Sequence, residues 1–111
     1  MRNLSALLVA ASIGLAGCAE ERMASAVAAL DGQPVSTAFA RFGPPNEERT
    51  VQAKRIYTWR VDELGPLGTR FTIAIEYKCL VQVTSDSDNI VRHEEWTGNP
   101  WGCNKLLAHR G

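Results

Sequence analysis

The sequence predicts an α+β fold: two N-terminal helices packed on an antiparallel β-meander of about four strands. The period of its apolar residues carries this expectation. Up to Phe42 they recur at helical spacing, and from Glu47 onward they alternate. Turn-forming residues divide the alternating part into short segments, and consecutive strands with short connections pair as antiparallel neighbours. With 111 residues the chain holds one small domain.

The first element is not part of that domain. Arg2 is the only charge before an apolar or small run from Leu4 to Ala16. A basic start, a short apolar stretch and a small-residue end read as a secretory signal. The run falls short of the roughly 20 apolar residues that a spanning helix needs, and Glu20, Glu21 and Arg22 follow at once. Leu15-Ala16-Gly17-Cys18 resembles the lipobox of bacterial lipoproteins. The resemblance implies cleavage before Cys18, a diacylglycerol on its thiol and acylation (palmitate) of the freed amine. Ala19, rather than an acidic residue, follows the cysteine, which in that family implies the outer membrane, facing the periplasm. The expected organisation is a signal peptide over 1–17, a lipid anchor and short tether over 18–21, and a single α+β domain over 22–111.

Helix is expected from Glu20 to Leu30, where alanines favour it and Met23, Val27 and Leu30 share one face. Gly32 suits a helix end. Pro34 suits the first position of a second helix, whose stripe is Val35, Ala38, Phe39 and Phe42. Gly43-Pro44-Pro45 stops it.

Strands are expected at 47–51 and 55–61, with a turn at Gln52-Ala53-Lys54. In the second, Arg55, Tyr57, Trp59 and Val61 share a face. Gly65-Pro66-Leu67-Gly68 gives Asp62 to Arg70 the composition of a loop. From Phe71 to Thr84 strict alternation puts Phe71, Ile73, Ile75, Tyr77, Cys79, Val81 and Val83 on the buried side, with a bulge expected near Tyr77-Lys78. Ser85 to Asn89 reads as a turn, Ile90 to Trp96 as the last strand, Thr97 to Gly102 as a loop, and Asn104 to His109 as a helical turn.

Three cysteines are present. With Cys18 assigned to lipid, Cys79 and Cys103 remain, an even pair that reads as a disulfide in an oxidising compartment. The formal charge is zero and no basic stretch occurs, which excludes a phosphate-binding surface for nucleic acid. His93-Glu94-Glu95-Trp96-Thr97 lacks the second histidine of a zinc-protease helix, and Asp86 to Asn89 lacks the glycine and twelfth-position glutamate of a calcium loop. The pairs Glu47-Glu48 and Glu94-Glu95 point to opposite faces of a strand. No catalytic residue, metal site or cofactor is therefore expected, and the chain reads as a non-enzyme. Tyr57, Trp59, Trp96 and Trp101 are candidates both for core packing and for partner contact.

Gly32, Gly43 and Pro45 form a Gly-x10-Gly-x-Pro frame around Ala38 and Phe42, followed by Tyr57 and Trp59. This stretch resembles the small accessory lipoproteins of the outer-membrane β-barrel assembly machinery and their superfamily, and it implies two helices on a small antiparallel sheet. The expected function is a non-enzymatic lipoprotein acting by contact with an envelope protein, in envelope assembly or maintenance. Two alternatives stand beside it: a binding or inhibitor module for a periplasmic enzyme or small ligand, and a hydrolase with an unrecognised site.

Overall fold

A computed structural model describes residues 18–66 and 74–108. The expected signal segment, Phe71 to Ile73 and His109 lie outside the described residues. The elements are α1 (Cys18–Ala28), α2 (Val35–Phe42), β1 (Glu47–Val51), β2 (Lys54–Pro66), β3 (Ala74–Ser85), β4 (Val91–Gly98) and α3 (Pro100–Ala108). The strands form one antiparallel sheet in the order β1-β2-β3-β4. The fold is α+β as expected, with a third helix at the C-terminal end.

The helices cover one sheet face, and their apolar stripes explain why. Met23, Val27 and Leu30 come from the α1 segment, and Val35, Ala38 and Phe42 from α2. They meet Tyr57 and Trp59 of β2, Val81 and Val83 of β3, and Val91 of β4. Leu106 and Leu107 add the inner side of α3. Arg41 donates to the Leu107 carbonyl at 3.0 Å, which occupies an otherwise open acceptor at the end of α3. Cys79 and Cys103 form a disulfide with Cα atoms 4.9 Å apart, fastening α3 to β3. Gly102 lies against the same strand: a Cβ there would come within 2.3 Å of the Lys78 backbone.

Several boundaries differ from the sequence expectation. Residues 62–66 are strand, not loop, because β2 stays in register with β3 as far as Pro66↔Ala74. Gly65 serves this pairing by leaving room for the Tyr77 ring, whose Cε1 would stand 2.7 Å from a Cβ. Pro66 is the last residue of β2, where its missing donor is tolerated. The irregularity expected near Tyr77-Lys78 falls instead between Thr84 and Ser85 in the pairing with β4. There Asp86 Oδ1 accepts from the Asp88 and Ile90 amides at 2.9 and 3.1 Å, and Oδ2 from Arg92 Nε at 2.7 Å. These bonds fix the turn and set the register beyond it.

The last helix begins at Pro100 rather than Asn104, and β4 runs on to Gly98. Asn99 is its cap: Oδ1 accepts from the Gly102 amide at 2.9 Å, and Pro100 takes the first helical position. Pro34 is the N-cap of α2 rather than its first residue. At the other end α1 takes in Cys18 to Glu21, so the segment read as a tether is helical.

The β1–β2 hairpin turns through two residues, Gln52 and Ala53, both left-handed at φ 51° and 66°. Asparagine and glycine are the residues that accept this geometry, which costs others roughly 1–2 kcal/mol each. The double substitution Gln52→Asn with Ala53→Gly is expected to stabilise the domain by about 1 kcal/mol and raise the thermal midpoint by about 4–8 °C. Thermal denaturation followed by circular dichroism checks this.

Candidate functional site

The aromatic residues separate into two groups. Tyr57 and Trp59 are buried under α2 and cannot serve as partner contacts. The Phe39 ring stands edge-on to both, at 5.2 Å from Tyr57 and 6.0 Å from Trp59, and Phe42 lies 5.7 Å from Trp59. Trp59 Nε1 donates to the Gly43 carbonyl at 2.8 Å, which satisfies its buried N–H. That bond ties the strand to the residue that ends α2, where φ is 83°. Trp96, opposite Val81, is half-buried against the core. Trp101, 46% exposed at the start of α3, is the one of the four that faces solvent substantially.

Among the described residues, the other face of the sheet carries no helix. Register places Arg60, Leu80 and Thr97 in one row across it, and Thr58, Gln82 and Glu95 in the next. Two shallow depressions of about 220 and 240 Å³ flank Leu80. Arg60, Asp62 and Lys78 line one, and Gln82 and Glu95 the other. Arg60 is engaged by Glu47 at 2.7 Å. The surface mixes charge, amide, hydroxyl and one central leucine.

The ends of the strand ladder are closed by particular groups. The Asn46 amide donates to the Thr58 carbonyl at 2.7 Å, and its side chain accepts from the Arg60 amide. Asn99 donates to the Lys78 carbonyl through its backbone at 2.8 Å and to the Glu76 carbonyl through Nδ2 at 2.7 Å. Gly32 and Gln33 pair with Val91 at 2.8 Å each. Beyond Asn46, the outer edge of β2 from Asp62 to Leu64 has no strand beside it among the described residues.

His93 Nε2 lies 3.7 Å from Glu95, both side chains more than half exposed. Among the described residues no three His, Cys, Asp or Glu side chains are grouped to hold a metal ion, and no helix is long and apolar enough to cross a membrane. Cys18 begins α1.

One acidic group is perturbed where α1 and α2 join. Glu94 projects from β4 on the helix side, with Oε2 enclosed and unpaired. Burial, and then the nearby Asp31 carboxylate, hold its carboxyl above the usual range. A raised native value means that the protonated form favours the fold. The contribution is present in full below the ordinary carboxylate value and is lost as pH rises through the raised one. Glu94→Gln is therefore expected to be more stable than the parent at pH 7, with the difference shrinking toward pH 4. Denaturant titrations of both proteins at the two pH values read this. A constant difference would contradict it.

A scan of protein-family models matches none for this chain, and neither the curated proteins nor the solved structures give a match.

Proposed function

We propose that this chain is a lipoprotein of the bacterial outer membrane, facing the periplasm and acting by contact with an envelope protein in envelope assembly or maintenance. The observation that carries the reading is the lipobox Leu15-Ala16-Gly17-Cys18 joined to a domain whose sheet, among the described residues, has its helices on one face. Two or more acyl chains on Cys18 give stable anchoring, whereas one gives marginal binding. The row Arg60, Leu80 and Thr97, with the depressions on either side, is the surface assigned to the protein partner.

Cys18→Ser is expected to move the protein from the membrane to the soluble fraction, and retention on the membrane would sink the anchor. For the contact face, a photo-crosslinking residue at Leu80 should trap an envelope protein that one at Lys54 does not. Equal or absent adducts at the two positions would remove the face from consideration.

A further inference from the structure

The segment that joins α1 to α2 is fastened to the beginning of β4. Gly32 donates to the Val91 carbonyl, Val91 to the Gln33 carbonyl and Val35 to the Asn89 carbonyl, each at 2.8 Å. These bonds surround a bridge between Pro34 and Ile90. The attachment is short, and it sits where the first helical segment ends. Leu30 and Asp31 donate to the carbonyls of Val27 and Ala28, which tightens the last turn. Gly32 then takes the chain away at φ 76°.

Two carboxyl groups meet beside this attachment. Asp31 directly precedes Gly32, and Glu94 follows Val91 by three residues on the helix side of β4. The Asp31 carboxylate is within hydrogen-bonding reach of Glu94. Oε2 of Glu94 is enclosed and has no partner. A negative charge on that oxygen has lost its water and is repelled by the neighbouring carboxylate, so one proton between the two groups is favoured. The helix dipole acts the same way, since negative charge is disfavoured at a C-terminal end.

The other charges around the pair do not cancel this. His93 draws Glu94 toward its charged form, but more weakly than burial and Asp31 oppose it. Arg92 acts on Asp31 while its Nε is bonded to Asp86. Glu20, Glu21 and Arg22 lie near the start of α1, away from this junction. On α2 the charged residue is Arg41, in the last turn and bonded to Leu107. Val83, opposite Glu94 on β3, is apolar.

We infer that Asp31 and Glu94 form a proton-held latch between the α1–α2 turn and β4. While one proton lies between the carboxyls, Gly32 and Gln33 stay bonded to Val91. When the proton leaves to solvent, the carboxylates separate and the Val91 bonds open. The latch is fully closed below the ordinary carboxylate range and loosens as pH rises through the raised value of Glu94. Opening is local, because Met23, Val27 and Leu30 keep the helix in the core.

Amide hydrogen exchange in the intact protein, corrected for the intrinsic effect of pH, tests this between about pH 5 and pH 8. The reference is Val81, fully buried and paired with Trp59 in the sheet. The Gly32 and Val91 amides are expected to be less protected than Val81 and indifferent to low urea, which marks a local opening. Their protection should fall severalfold over the pH range. Glu94→Gln should remove the fall, Asp31→Asn should reduce it, and His93→Gln should leave it in place. Gly32 and Val91 amides that share the protection and urea dependence of Val81 would show no separate opening and overturn the latch. A fall unchanged in Glu94→Gln or in Asp31→Asn, or one lost in His93→Gln, overturns it as well.

Discussion

Replacing Trp59 with alanine is expected to unfold a large fraction of the protein at physiological temperature. Trp59 is 1% exposed, packs against Phe39 and Phe42, and donates to Gly43. Truncating a buried tryptophan costs about 3–5 kcal/mol, against a total of roughly 5–15 kcal/mol for natural domains. The thermal midpoint should fall by more than about 12 °C. Trp59→Phe keeps most of the packing and leaves the Gly43 carbonyl without its donor. That loss is worth about 1–3 kcal/mol if the site stays dry, so the phenylalanine variant should fall between the other two. Equal midpoints for the parent and the alanine variant would show that the α2–β2 contact contributes little.

Loss of the Cys79–Cys103 bond is the second large effect. The two cysteines are 24 residues apart in sequence. Closing a loop of this size stabilises by about 3 kcal/mol in the chain-entropy picture. The double variant Cys79→Ala, Cys103→Ala should melt well below the parent and expose α3 to proteolysis first, because that helix loses its covalent link to β3. Both sulfur-bearing residues are 2% exposed. A reductant should accordingly act on the native protein slowly and only through opening of α3. Rapid reduction without loss of structure, or an unchanged midpoint in the double variant, would contradict this.

The parts of the fold that local pattern controls were legible in the sequence. Alternation placed Tyr57, Trp59, Cys79, Val81 and Val83 on the helix side, where they are buried. The glycine and prolines after Phe42 ended α2 where expected. Composition misled where pairing overrides it. Gly65 and Pro66 look like a turn, yet one makes room for Tyr77 and the other occupies a strand end. The start of α3 was missed although Asn99-Pro100 is a cap followed by a first-turn proline. Gly98, Asn99, Pro100 and Gly102 together give the segment the composition of a loop. The bulge at Ser85 depends on three bonds to Asp86 that no periodicity reveals.

The candidate surface was less legible than the fold. Trp59 and Trp101 look alike in sequence, and only the position of α2 separates core from solvent. The closures by Asn46 and Asn99 join residues 14 and 23 apart, so neither amide announces its role locally.

The contact between the first and last helices bears on when the domain can form. Met23 and Val27 of α1 belong to the same core as Leu106 and Leu107 of α3. A chain made from its N-terminus leaves α3's share of that core empty until α3 itself has been synthesised. Contacts between such distant segments form slowly, since loop closure must come first. The meander can pair early, but the apolar stripe of α1 remains partly uncovered until the end. The order of synthesis thus leaves the core incomplete, with one side of α1 uncovered, until α3 has been made.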